Sequence, residues 1–575
     1  MTLMLKKVDR PRELKWYQAG AMLYGDWGTS KAYVLGIAFA LSGHASWFFL
    51  GLMALLTAVV GVCYLIICRL YPDGGGVYSS LRSRSKLFSV IAALLLVADY
   101  VVTASLSALD AFHYFNAPHP ELWAIGAILL IGGINWIGPT KGGSIAAVIA
   151  IIASITAGIL FVSTLPHLPH VELKWPTEPI TKNWSVFVGI VLALSGVEAI
   201  ANMTGIMVEP VEKTSRKAIV PVLLEVAILT FLLGIAMNAI PGLTNHAEDM
   251  LRALGNYYIG PWYGQFISVV FALLLLSAVN TSITGLVSVQ FAMAKDHELP
   301  YAFSQLNRYG MPSLALAVAT LVPCLVLVIE HEVVGLAALY AIGVVGAITL
   351  NLGSCATNTN LKMKPHERGL LFITSVVLFL IELTIAYEKR GALIFASTVL
   401  AVGLALRQAT TVLAPPVPTV VPDFNLLTVR EAKELELLYK SSFLVAVRSL
   451  NTSLLEEAAL RCKALGENSV YINYVEETPP AAGLLPTEIA PSNTAVELLS
   501  KAQQELENRG ITGIPVWQFG EDPGKMIARG AKELGVNTVM IGTTRRSALI
   551  SLLRGDVLRT LAHNLPKDCK LLITS

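Results

Sequence analysis

Apolar residues run in long stretches up to residue 413, separated by short polar breaks, and the pattern changes at a proline-rich stretch that follows. A membrane-spanning helix needs about 20 mostly apolar residues. Twelve runs meet that need: 17–41, 46–70, 87–114, 120–138, 144–165, 184–207, 218–240, 261–292, 313–330, 333–355, 369–387 and 391–413. Residues 414–424, with four prolines, read as a semi-rigid linker. Beyond it the period shortens. A charged helix is predicted over 425–441, then strands at 443–448, 469–474, 511–517, 537–542 and 569–574. Helices fall between them at 454–465, 493–508, 523–534 and 555–563, the first opened by a Ser453-x-x-Glu456 capping box. Strands alternating with helices predict a parallel sheet covered on both faces. The expected division is a transmembrane domain at 1–413, a linker at 414–424 and an α/β domain at 425–575.

Two runs carry polar interruptions. The first holds Tyr24-Gly25-Asp26-Trp27-Gly28-Thr29-Ser30-Lys31-Ala32-Tyr33, and the sixth holds Leu194-Ser195-Gly196-Val197-Glu198. An unpaired carboxylate in mid-bilayer costs roughly 3 kcal/mol or more, so such groups mark functional sites. Glycine loosens a helix and lets carbonyls face a cavity. Gly25, Gly28 and Gly196 are therefore expected to break their helices. Runs one and six correspond if the first ten helices form two five-helix repeats, which an odd count would invert in the membrane. Paired interruptions of this kind point to a transporter's binding site.

Composition agrees with a polytopic membrane protein. Of 575 residues, 54% are hydrophobic and 14% charged, against about 25% charged in soluble proteins. The N-terminus is polar and basic, without a cleavable signal pattern. With it placed inside, the inner loops collect Lys6, Lys7, Arg10, Arg12, Lys15, Arg69, Arg82, Arg84 and Lys86, and further bases down the chain. The outer loops keep only Lys174, Lys182, Arg252, Lys389 and Arg390, so both termini are expected in the cytoplasm. Six cysteines show neither paired nor metal-ligand spacing.

Further polar residues fall into helix faces. Asp99, Tyr100, Thr103 and Ser107 lie in the third run; Ser195, Glu198 and Asn202 share a face in the sixth; Ser277, Asn280, Thr281, Thr284 and Ser288 stripe the eighth. Such a stripe by itself reads as helix–helix hydrogen bonding. Asp110 and Glu382 sit nearer segment ends and read as structural. The central set is Asp26, Tyr33, Asp99, Tyr100, Thr103, Ser107, Ser195 and Glu198, with no lysine or arginine as a comparable mid-membrane partner. Oxygen ligands with surplus acid suit a hard metal cation, a proton or an organic cation such as a polyamine. They would repel an amino-acid carboxylate. No TVGYG-like filter loop argues for a channel, and no enzyme constellation is present. Scattered histidines (His113, His119, His167, His170) read as surface groups of the outer loops.

At these residues the chain resembles known families. The stretch from Tyr24 to Tyr33 is similar to the first-helix signature of Kup-type potassium permeases, YGD-x-GTS-x-x-Y. The region from about 15 to 410 resembles the KimA-like potassium importers of the amino acid–polyamine–organocation superfamily. Ala98-Asp99-Tyr100-Val101-Val102-Thr103, Ser195-Gly196-Val197-Glu198-Ala199, Ala278-Val279-Asn280-Thr281 and Leu339-Tyr340-Ala341-Ile342-Gly343-Val344 carry the likeness together. It implies a LeuT-type 5+5 inverted repeat and import of K⁺ with H⁺ across the cell membrane. It also implies potassium ligands at Asp26, Tyr33, Asp99, Tyr100, Ser107, Ser195 and Glu198, with serine at 195 where the importers carry threonine.

The tail resembles a universal-stress-protein domain in Phe519-Gly520-Glu521-Asp522-Pro523, Ala531-Lys532-Glu533-Leu534-Gly535 and Val539-Met540-Ile541-Gly542. Those domains bind ATP through G-x2-G-x9-G-(S/T). Here Gly542, Arg545 and Gly555-Asp556 keep the spacing but lose the second glycine and the final hydroxyl, and Arg448 replaces the usual aspartate closing the first strand. The resemblance implies a nucleotide effector (cyclic di-AMP, or ATP or AMP), for which Arg448, Gly542, Arg545, Arg546 and Gly555 are candidate contacts. A homodimer through the tail is expected from the likeness, and no nucleic acid polymer as a partner. The alternatives are an amino-acid or polyamine permease on the same fold, or a membrane-tethered nucleotide sensor, whose anchor would need no intramembrane acids.

Overall fold

The structure, a computed structural model, describes every residue except 1–5, 8–11, 75, 83, 138–141, 195, 244–245, 308, 413–423, 435–440, 478–487, 490, 544–555 and 575. Helices occupy all twelve apolar runs. The first run holds α1 (Trp16–Trp27) and α2 (Ser30–Ser42), and the second α3 (Ser46–Leu70). A short α4 (Val77–Arg82) precedes α5 (Lys86–Tyr114), α6 (Pro120–Asn135) and α7 (Gly142–Thr164). The sixth run is divided between α8 (Ile180–Gly189), a 3₁₀ turn at Val191–Leu194 and α9 (Ala199–Met203). Then come α10 (Val211–Ala236), a short α11 (Met250–Tyr258), α12 (Pro261–Lys295), α13 (Ser313–Ile329), α14 (Val333–Thr357), α15 (Pro365–Glu388) and α16 (Arg390–Val412).

Among the described residues, eight helical stretches are long and apolar enough to cross a membrane, nine if the bent pair of the sixth run counts as one. The stretch Trp16–Leu70 has 55 residues and contains two of the runs. Straight, it would reach about 80 Å, far beyond a hydrocarbon core of about 30 Å. It turns at the 3₁₀ helix Gly43–Ala45, so that α1 and α3 both pack on α10. The fourth and ninth runs form shorter apolar helices than expected, Pro120–Asn135 and Ser313–Ile329. Helices pair across the two halves. The first run meets the sixth (α1 on α9), α3 packs on α10, α5 on α12 and α6 on α13. Each of these partners lies five runs further along the chain, the pattern expected of a five-helix repeat.

In the tail, six strands form one sheet in the order β2-β6-β4-β3-β7-β8, all neighbours parallel. They are β2 (Leu427–Thr428), β3 (Phe443–Ala446), β4 (Ser469–Glu477), β6 (Thr512–Gly520), β7 (Thr538–Gly542) and β8 (Lys570–Thr574). The helices are α17 (Val429–Glu434), α18 (Thr452–Ala464), α19 (Asn493–Glu507), α20 (Pro523–Glu533) and α21 (Val557–Asn564). The buried runs Leu444-Val445 and Val470-Tyr471-Ile472 are apolar on both faces, as a covered parallel sheet requires. Two local expectations fail. The charged segment opens as β2 followed by the short α17, with 435–440 outside the described residues. Helix α18 is capped by Asn451, whose side chain accepts from the Leu454 amide at 3.1 Å, so Ser453 is already inside the helix. Asparagine is as good a cap as serine and here stands two positions earlier.

The tail is joined to the membrane helices by buried charge. Lys295, the last residue of α12, contacts Glu476 of β4 at 3.1 Å, with both side chains largely buried. The other Glu476 oxygen accepts from Trp517 Nε1 at 3.0 Å and the Ser492 amide at 3.1 Å. Near the N-terminus, β1 (Lys6–Lys7) pairs antiparallel with β5 (Glu488–Ile489), and Lys525 contacts Glu13 at 2.6 Å. Breaking a buried pair by removing one partner costs about 3–5 kcal/mol. Glu476→Ala is therefore expected to loosen the tail from α12 without unfolding the membrane helices. Hydrogen exchange should rise at the end of α12 and in β4, and stay unchanged in α5 and α14.

Candidate functional site

The site forms where the two interrupted runs touch. Residues 196–198 are non-helical, and earlier in the same run the segments Ile180–Gly189 and Val191–Ile206 meet at 44°. Gly196 has φ +85°, a conformation that side chains rarely adopt. A Cβ there would lie 2.8 Å from Asp26 Cγ and 2.8 Å from the Trp27 amide nitrogen. Glycine thus serves twice at this position: it makes the turn, and it lets the sixth run lie directly on Asp26.

The first run is interrupted less than expected. Gly25 lies inside α1, and the ladder is broken only at Gly28 and Thr29, both with helical backbone angles. The nearby carbonyls are occupied. The Gly28 amide donates to Tyr24 O at 2.8 Å, Thr29 donates to Asp26 O through both its amide and its hydroxyl, and Ser30 Oγ donates to Trp27 O at 2.8 Å. A Cβ at Gly25 would meet only Ser277 Oγ of α12, at an ordinary contact distance of 4.0 Å. Local hydroxyl donors at 29 and 30 hold the chain helical where glycine alone would let it open.

Three carboxylates converge here from three elements: Asp26 of α1, Asp99 of α5 and Glu198 at the start of α9. All are at most 2% exposed, and each lies within electrostatic reach of the others. Among the described residues, both Glu198 oxygens lack a hydrogen-bond partner. Thr103 Oγ1 donates to the Asp99 carbonyl at 2.9 Å and approaches its carboxylate at 3.4 Å. Asn202 Nδ2 donates to the Tyr100 hydroxyl at 3.2 Å. Tyr33, Thr103 and Ser107 are buried. Ser195 lies outside the described residues. The eighth-run stripe mostly turns back on itself: Thr281, Thr284 and Ser288 donate to carbonyls of their own helix.

Two residues of α14 complete the cluster and were not singled out as site groups from sequence. Tyr340 hydrogen-bonds Asp99 and lies near Tyr33. Gly343 sits so close to α5 that a Cβ would be 2.7 Å from the Asp99 amide nitrogen. The signal for Tyr340 was its place in an otherwise apolar run.

A buried base also enters, against expectation. Lys31 is fully buried and contacts both Glu225 oxygens, at 2.8 and 2.7 Å, while Tyr24 donates to Glu225 at 2.9 Å. The Lys31 ammonium also lies 4.8 Å from the Tyr24 ring centroid. Its acid is thus Glu225 of α10 and not one of the central three. Glu225 is an acid inside the seventh run that was not singled out from sequence, and its partner lies 194 positions away. Tyr24 precedes the Gly28–Thr29 interruption and Lys31 follows it, so one carboxylate braces both sides.

In the tail, Arg448, Asn451, Asn473, Glu477, Gly542 and Thr543 help line a cavity of about 280 Å³. It opens at the carboxyl ends of β3 and β7, where the sheet order reverses, the usual ligand position in such folds. Arg448 lies 3.8 Å from Glu477. Asp556 caps α21, accepting from the Leu558 amide at 2.9 Å. Arg545, Arg546 and Gly555 lie outside the described residues.

A bundle of apolar helices enclosing a buried polar site between paired interruptions is the form of a multi-pass membrane transporter. Residues 14–424 match the amino acid permease family model, and the chain belongs to that family. Residues 442–572 match the universal stress protein family. The potassium transporter KimA of Bacillus subtilis (strain 168) is 26% identical over 373 residues, covering 59% of this chain and 60% of that protein, so the chain spans less than two thirds of that relative. The crystal structure of the Eremococcus coleocola manganese transporter, in complex with an aromatic bis-isothiourea substituted compound, aligns with 72% of this chain and 98% of that one. Its TM-score is 0.46 and its sequence identity 12%.

Removing Lys31 alone leaves a carboxylate without its base, at a cost of about 3–5 kcal/mol. Lys31→Met should lower thermal stability strongly, and Lys31→Met with Glu225→Leu should recover most of the loss. Additive losses in that double-mutant cycle would show that the pair is not coupled. Gly196→Ala should fold less stably and lose transport together, in thermal-shift and uptake assays, because Asp26 and Trp27 must move to admit a methyl group.

Proposed function

We propose that this chain imports potassium across the cell membrane by alternating access, with protons as the coupling ion. One observation carries the reading: Asp26, Asp99 and Glu198 are buried within electrostatic reach of one another, while the buried Lys31 of the first run is already committed to Glu225. Three negative charges at such separations repel strongly in a low dielectric. A cation among them relieves the repulsion, and a proton on one of them relieves the remainder. Asp26, Tyr33, Asp99, Tyr100, Ser107, Ser195 and Glu198 are assigned as cation ligands, Thr103 as a support for Asp99, and Tyr340 as an added hydroxyl. The relative described as a potassium transporter favours potassium among the cations. The family model described as amino acid permease keeps an amino-acid or polyamine substrate as the second reading.

The tail is proposed to regulate transport. Its cavity, with Arg448 at the edge, suits a phosphate-bearing nucleotide such as cyclic di-AMP, ATP or AMP. Dimerisation through the same domain, with both termini in the cytoplasm, belongs to this reading.

The test is ⁸⁶Rb⁺ uptake by cells lacking their own potassium importers. Wild type should accumulate the ion and K⁺ should compete it away, whereas Asp26→Asn should lose uptake at least tenfold with unchanged expression. Competition by spermidine or an amino acid, with none by K⁺, would replace potassium with that substrate.

A further inference from the structure

Away from the central site, a buried acid and a buried imidazole nitrogen are left unsatisfied near each other. Asp110, close to the end of α5, is 0% exposed, and among the described residues neither carboxylate oxygen has a hydrogen-bond partner. His113 contacts Glu248 through Nδ1 at 2.9 Å, while its Nε2 is buried and, among the same residues, also unpartnered. Residues three apart on a helix share a face, with Cβ atoms about 5–6 Å apart. Orphaned buried polar atoms call for an unseen water, ion or proton, and one water between the two heads would satisfy both.

The position of the pair gives it a route. Asp99, Thr103, Ser107 and Asp110 lie on one side of α5, and all are buried. Eleven residues of helix separate the two acids by about 16 Å, a distance with two hydroxyl-bearing steps between. The segment after α10 covers the outer end. There His246 contacts Asp249 at 2.8 Å, and Glu248 and Asp249 are the acids within electrostatic reach of Asp110. His113 donates to Glu248 and holds that carboxylate below its usual range. On the remaining sides the neighbouring Tyr114 donates to the Ala32 carbonyl of α2 at 2.8 Å and stacks on Phe271 of α12. Among the described residues, no group of three or more His, Cys, Asp or Glu converges to hold a metal ion.

We propose that Asp110 and His113 form a proton-loading station at the outer end of α5. An external proton binds His113 Nε2. It passes through one water to an Asp110 oxygen, breaking the N–H bond as the O–H bond forms. From there it leaves inward along α5, toward the central site. No oxidant, metal or covalent intermediate is needed. The proposal rests on the proton-coupled reading of the central site, but the station can be tested without transport.

The experiment uses the full-length protein in lipid vesicles. Infrared difference spectra are recorded on acidifying the outer face, with ⁸⁶Rb⁺ uptake followed in parallel across the same pH series. Wild type should show a protonated-carboxyl band that Asp110→Asn removes. His113→Gln should keep the band but move its midpoint. Wild-type uptake should rise as the outside becomes more acid, and Asp110→Asn should flatten that rise at least fivefold. An unchanged band in Asp110→Asn would overturn the station, whatever the uptake. So would an unchanged pH profile accompanied by a higher K⁺ requirement, which would make Asp110 a cation subsite. Absence of uptake in wild type, with the band present and lost in Asp110→Asn, would refute potassium import and leave the station standing.

Discussion

Three carboxylates buried together in a membrane cannot all remain charged without a cation, and the packing around them is arranged on that condition. Thr103 and Tyr340 hydrogen-bond Asp99, and neither Glu198 oxygen has a hydrogen-bond partner among the described residues. A site built for permanent structure would place an arginine among these acids and close the account. Here the buried Lys31 is held by Glu225. In the proposed reading, the charge of the three acids is what an incoming cation binds.

The two interrupted runs divide the mechanical work unequally. The first stays nearly helical across Gly28 and Thr29, with its carbonyls occupied and Glu225 gripping Tyr24 and Lys31 on either side. The sixth is non-helical at 196–198, turns on a left-handed glycine and leaves Glu198 unpaired. The first run is tied to α10 through Lys31 and Glu225 and packs on it along α1. In the tail, Glu476 binds Lys295 of the membrane domain and Glu477 borders the cavity beside Arg448, so adjacent residues of one strand face the two domains.

Much of this architecture was legible in the residues themselves. Hydrophobic run length located the helices, because a bilayer admits few lengths and no unsatisfied backbone. The alternation of short strands and helices after the prolines identified a parallel sheet, because crossovers require it. Asp26, Asp99 and Glu198 stood out because charge in an apolar run is expensive wherever the run lies. Local chemistry was less secure. Gly25 looked like a break and is helix, since the neighbouring hydroxyls at Thr29 and Ser30 supply the donors that keep the turn closed. Ser453 looked like a cap and is displaced by Asn451, which performs the same bond two residues earlier.

The sequence by itself therefore determined the spans, the sheet and the acids, all of which follow from one-dimensional burial costs. Tertiary structure alone decided the partners. That Lys31 belongs to Glu225, that Gly196 rests on Asp26, that Gly343 admits the backbone of Asp99, and that His113 meets Glu248 depend on segments far apart in the chain. Periodicity tells which face of a helix is buried but not what it is buried against, and in a membrane the pairing of polar groups follows the second.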